Sequence, residues 1–91
     1  DDNSGAHVSV GVIPNPARGS VTIRYGLAER SDVSLHIANS LGQEVLSRPL
    51  GNRAAGAYDE HVDVASLPTG AYMAVIRVGG RMLNTRFSII R

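Results

Sequence analysis

Residues 66–80, SLPTGAYMAVIRVGG, leave few folds open. Tyr72, Ala74, Ile76 and Val78 alternate with Ala71, Met73, Val75 and Arg77. A period of two is the mark of an extended strand whose successive side chains point to opposite faces. Both faces are mostly apolar, which predicts a central strand rather than a half-solvated one. Pro68 and Gly70 turn the chain into this strand, and Gly79-Gly80 is a tight hairpin signal, because two-residue loops need the positive φ that glycine adopts freely.

The same alternation recurs along the chain. Val8, Val10 and Val12 form a short strand that ends at Ile13-Pro14-Asn15-Pro16, where two prolines remove backbone donors and force a turn or an edge crossing. Val21, Ile23 and Tyr25 follow, then Val33, Leu35 and Ile37, then a turn at Asn39-Ser40-Leu41-Gly42. Residues 43–50 read as the returning strand, and residues 51–56 as a loop. Tyr58, Val62 and Val64 share one parity, on which Glu60 is a polar defect. Leu83, Thr85, Phe87 and Ile89 supply the last strand. Residues 40–45 and 64–67 allow a helical turn each and nothing longer. Seven short strands separated by turn signals predict an all-β, two-sheet antiparallel β-sandwich with Greek-key or immunoglobulin-like connections.

A chain of 91 residues supports one core, since folding at this size removes only about 60 to 65% of the unfolded surface from water. The expected domain is 8–91, with the polar stretch DDNSGAH at 1–7 as a linker or frayed tail from an upstream domain. Asp1 in place of Met predicts a piece of a longer chain. All nine basic residues are Arg and they are scattered from Arg18 to Arg91 against eight acids, so nothing points to nucleic acid. With no cysteine there is no disulfide or thiolate metal site. No segment approaches the ~18 apolar residues that suggest a membrane-spanning helix, so membrane insertion is not expected.

The reactive residue types do not converge on a chemistry. Asp59, Glu60 and Asp63 lack the glycine-punctuated loop of a calcium site, and two of them alternate with valines, as on a solvated strand face. Asp1-Asp2-Asn3 sits at a terminus that must first be ordered. His7, His36 and His61 lie on separate segments without a neighbour at metal-ligand spacing. Ser9, Ser34, Ser40 and Ser66 have no G-x-S-x-G elbow around them. Leu67-Pro68-Thr69-Gly70 lacks the intervening residue of a cell-wall sortase signal and reads as a turn. Tyr25, Tyr58 and Tyr72 fall on apolar parities and are expected in the core or its rim, not as a sugar-binding platform. No cofactor, metal or catalytic residue is implied, and an enzyme is not expected.

Several short motifs nevertheless stand in a distinctive order. These are Pro14-Asn15-Pro16-Ala17, the strand from Val21 to Tyr25, Val33-x-Leu35-x-Ile37, Leu41-Gly42-x-x-Val45, Leu67-Pro68-x-Gly70-x-Tyr72, and Thr85-Arg86-Phe87. Together, from about Val12 to Arg91, they resemble the type A C-terminal sorting domain of the type IX secretion system, found on secreted proteins of Bacteroidetes and their relatives. The resemblance implies an immunoglobulin-like sandwich at the end of a cargo protein in the same polypeptide. It would serve as an address read by the outer-membrane secretion machinery and be removed by a sortase-like peptidase that attaches the cargo to the cell surface. The implied location is the periplasm in transit, then the cell surface or extracellular space. Candidate sorting residues are Pro14, Asn15, Pro16, Gly70, Tyr72, Gly79, Gly80, Arg86, Phe87, Ile89, Ile90 and Arg91. Arg86 and Arg91 stand where the family often has Lys, and Met73-Ala74 is less bulky than its usual apolar pair. Flagellar hook-capping proteins carry a similar immunoglobulin-like domain, and a structural, carbohydrate-binding or partner-binding module of a surface enzyme is the other alternative. On the sorting reading, a last strand at a sheet edge offers unpaired backbone groups to a partner.

Overall fold

In a computed structural model that describes residues 9–90, the apolar alternation resolves into seven strands and, among the described residues, no helix. They are β1 (Ser9–Ile13), β2 (Ser20–Leu27), β3 (Ser31–Asn39), β4 (Glu44–Arg53), β5 (Gly56–Asp63), β6 (Gly70–Val78) and β7 (Arg81–Ile89). Two antiparallel sheets form, one ordered β1-β2-β5 and the other β4-β3-β6-β7. The β4-to-β5 connection carries the chain between sheets, as does the passage from β2 to β3, which gives the sandwich its immunoglobulin-like plan. The expected linker at 1–7, Val8 at the start of the first predicted strand, His7 and Arg91 lie outside the described residues.

The two inner faces make one aliphatic core. Val21, Ile23, Tyr25, Leu27 and Val62 of the three-stranded sheet meet Val33, Leu35, Ile37, Ala74, Ile76, Val78, Phe87 and Ile89 of the other. Each fully buried Ile or Leu here contributes about 1.5 to 3 kcal/mol of transfer free energy. β6 lies between β3 and β7, so the predicted central strand is internal to its sheet. Its outer face keeps Met73 and Val75 half-buried and Arg77 exposed.

The loop expected at 51–56 is shorter than in the sequence reading. Residues 51–53 continue β4 instead of looping, so only Ala54 and Ala55 separate β4 from β5. The strand absorbs Pro49 because β4 is an edge, and a bulge opposite Val33 and Ser34 takes up Leu50 beside Gly51, whose φ of 82° favours glycine. The Glu60 defect is also resolved. Its side chain is only 16% exposed and faces inward at the rim, where Arg53 Nη1 lies at 3.1 Å and Arg48 Nη1 at 3.7 Å. These pairs join β5 to β4 across the open flank of the sandwich, so a charge on the apolar parity is met by two charges from the opposite sheet.

Candidate functional site

The last strand and the proline segment form a single unit at the opposite flank. β7 is an edge strand of its sheet. After β1 the chain passes through cis peptides at Ile13-Pro14 and Asn15-Pro16 and reaches β7 at a parallel bridge between Ala17 and Ile89. Ala17 is fully buried. Its N–H donates to Ser88 C=O at 2.8 Å, and its own carbonyl accepts from Ile90 N–H at 2.9 Å.

Asn15 extends this pairing with its side chain. Ser88 N–H donates to Asn15 Oδ1 at 3.0 Å, and Asn15 Nδ2 donates to Arg86 C=O at 3.4 Å. A primary amide presents one acceptor and one donor in the plane of its carbonyl, like a peptide group, so Asn15 stands in for one peptide of a neighbouring strand. The expectation of unpaired backbone groups on the terminal edge therefore holds for part of its length. On this side, the part of β7 from the Arg86 carbonyl to Ile90 is hydrogen-bonded to the proline segment, and the part from Met82 to the Arg86 amide makes no such bond with a described residue.

The candidate sorting residues separate into two groups. Tyr72, Phe87 and Ile89 are buried, with the Tyr72 and Phe87 rings stacked at 5.8 Å between centroids. Pro14, Asn15, Pro16, Gly79, Gly80, Arg86 and Ile90 are exposed, and Gly70 is half-buried. The first group holds β7 against the core; the second can meet a partner. Tyr72 does more than pack: its hydroxyl donates to Pro68 C=O at 2.6 Å, closing the turn into β6 in the manner of a tyrosine corner. Gly79 has φ 59°, the sign that the first central residue of a type II′ hairpin requires, and pairs Val78 with Arg81 across the two-residue turn.

Other polar clusters lie apart from β7. His36 on β3 contacts Ser34 Oγ through Nε2 at 2.9 Å, and Glu44 Oε1 through Nδ1 at 2.9 Å, with Ser47 Oγ at 3.3 Å from Nδ1. This has the connectivity of a nucleophile, base and acid. It lies on the outer face of β3, a strand internal to its sheet between β4 and β6. Asp59 pairs with Arg24 at 3.3 Å, and Asp63 Oδ1 accepts Ala65 N–H at 2.9 Å. Tyr25 is buried and Tyr58 is half-buried, their rings stacked at 5.3 Å, with the Arg53 guanidinium 5.1 Å above Tyr58. Burial pushes the Tyr25 phenol above its ordinary value of 10.0. Arg53 pulls the other way electrostatically, yet it is engaged by Glu60 and the Tyr25 hydroxyl has no partner in hydrogen-bonding geometry.

Fold and site together define a β-sandwich module whose most distinctive chemistry lies along its final strand. The family described as the secretion system C-terminal sorting domain matches residues 11–90, and the chain belongs to it. The domain is a C-terminal sorting signal for type IX secretion, recognised by that machinery and directing export to the cell surface or extracellular space. Compared with the curated proteins, the sequence matches none. Among solved structures, the sulfur carrier protein SoxY from Chlorobium limicola f thiosulfatophilum is similar at 13% identity. The match covers 92% of this chain and 74% of that one, with a TM-score of 0.48.

The sequence singled out the proline segment, the turn glycines and β7; the proline segment and Gly70 meet the end of β7 at Ser88 and Ile89, whereas Gly79 and Gly80 lie at its opposite end. It did not indicate the joint role of Asn15 and Ser88, which are 73 positions apart. The one available signal was an amide-bearing residue held between two prolines.

Proposed function

We propose that this module, residues 8–91, is a noncatalytic export address for a cargo carried upstream in the same polypeptide. The cargo passes through the periplasm, and a sortase-like peptidase then removes the module and attaches the cargo to the cell surface. The observation that carries the reading is the position of β7: an edge strand, anchored from beneath by Phe87 and Ile89, with Arg86 and Ile90 presented outward. A strand held this way is readable as a folded surface, because its register is set by the core before any partner arrives.

The remaining candidate residues support that presentation. Gly79 and Gly80 turn β6 into β7, Gly70 and Tyr72 fix the entry to β6, and Pro14, Asn15 and Pro16 fasten the far end of the edge. Arg91 is proposed to act with Arg86 as part of the same recognised terminus. Deleting residues 82–91 from a cargo fusion abolishes export on this reading, whereas unchanged export contradicts it. A polysaccharide-binding module would instead be retained on a polysaccharide column, and the sorting reading predicts passage without retention.

A further inference from the structure

Resting on the sorting reading, we infer that the open part of the β7 edge is a docking site for an extended acidic segment of the partner protein, added as a fifth strand beside β7. In an antiparallel pair, alternate residues direct their N–H and C=O groups toward opposite neighbours. Ser88 and Ile90 use theirs on the side away from β6, toward Asn15 and Ala17. By the same alternation, the N–H and C=O of Met82 and Asn84 and the N–H of Arg86 face that side, where no strand follows β7 in its sheet. The Asn15 amide defines one end of this open edge and the Gly79-Gly80 turn defines the other.

Side chains on the outer face give the site its chemical preference. Cross-strand pairs place Arg77 beside Met82, Val75 beside Asn84 and Met73 beside Arg86. Met82 is 58% exposed, and Met73 and Val75 are half-buried, which makes a small apolar floor. Arg77 and Arg86 stand at its two ends, both exposed, and neither forms an ion pair with a described residue. A strand lying alongside Met82 to Arg86 places two of its own side chains, four residues apart on the same face, beside Met82 and Arg86, with Arg77 one strand further in next to Met82. Carboxylates at those positions, with an apolar residue between them, complement the surface. A second copy of this chain is the disfavoured occupant, because edge-to-edge pairing would set arginines of one copy against those of the other.

The test uses the 91-residue chain and two short synthetic peptides of alternating Val and Thr. One carries Glu and the other Lys at two positions four residues apart. Hydrogen exchange at individual amides is followed by NMR. The Glu peptide is expected to protect the amides of Met82, Asn84 and Arg86, and the combined Arg77→Glu and Arg86→Glu variant to bind it about tenfold more weakly while gaining affinity for the Lys peptide. Equal binding of both peptides, no binding of either, protection confined to other strands, or concentration-dependent dimerisation through β7 would each overturn the inference. Export of a cargo fusion separates this from the function itself. If the unaltered fusion is not exported, the sorting reading fails. If both the unaltered and the charge-reversed fusions are exported equally, the docking site fails and the sorting reading stands.

Discussion

Asn15 and Ser88 are joined as two strands would be, with Ser88 N–H donating to Asn15 Oδ1 at 3.0 Å although one residue lies before β2 and the other near the end of the chain. The contact makes the Pro-Asn-Pro segment part of the four-stranded sheet and ties the start of the domain to its final strand.

Replacing Asn15 with Ala removes both side-chain bonds and leaves Ser88 N–H and Arg86 C=O to water. Because the site is exposed, the expected loss is about 1 kcal/mol in chemical denaturation. Faster amide exchange localised at Ser88 and Ile90 distinguishes this from a general loss of stability. Asn15→Asp keeps the acceptor and loses the donor, so Ser88 remains more protected than in the Ala variant.

The three tyrosines separate by the fate of their hydroxyls. Tyr72→Phe loses the bond to Pro68 and is expected to cost about 1 to 2 kcal/mol. Tyr58→Phe loses the more exposed bond to Ala54 at 2.7 Å and costs less. Tyr25→Phe removes a buried hydroxyl without a partner and is expected to be neutral, or stabilising by up to about 1 kcal/mol. Urea denaturation of the three variants checks the order.

Tyr25 also predicts an alkaline limb in stability. Its pKa is raised in the folded state, chiefly by burial, so the folded protein holds this proton more tightly than the unfolded chain does. The contribution is complete below 10.0, the ordinary phenol value, and is lost as pH rises through the higher folded value. Tyr25→Phe is expected to flatten the decline in folding stability above that pH relative to the unaltered chain.

Glu60 tests the inter-sheet ion pairs. Glu60→Gln leaves Arg48 and Arg53 without their carboxylate, and a loss of about 1 to 2 kcal/mol is expected, moderated because both arginines retain partial solvent contact. The difference between the two proteins should shrink in high salt. A double-mutant cycle with Arg53→Met measures the coupling directly.

Gly79 is constrained by backbone conformation alone. A Cβ there meets nothing within 4 Å, but φ is 59°. Gly79→Val is expected to cost about 1 to 2 kcal/mol and Gly79→Asn to be destabilising as well, since the first central position of a type II′ turn favours glycine. Thermal unfolding of the two variants provides the comparison.

The strands were legible because period-two alternation survives in nearly all of them, and the turn residues Pro68, Gly70, Gly79 and Gly80 punctuate β6 on both sides. Glu60 shows where a parity argument needs the third dimension. Its position pointed inward correctly, but the arginines that make this tolerable come from β4 in the other sheet. The end of β4 was misplaced for a related reason. Pro49 and Gly51 read as strand terminators unless β4 is known to be an edge with a bulge. The candidate site was legible as a set of segments and not as a surface. Burial divides Phe87 and Ile89 from Arg86 and Ile90 by alternation, while coverage of the edge by Asn15 depends on a contact that no local pattern encodes.

On the proposed function, these residues suffice as an export address. The most direct measurement fuses residues 1–91 to the C-terminus of a periplasmic reporter and compares its location in cells with an intact type IX machinery and in cells lacking the translocon. Reporter is expected at the cell surface or in the medium only when the machinery is intact, and in the periplasm otherwise. Reporter that stays in the periplasm of both strains, or leaves both equally, would contradict that function.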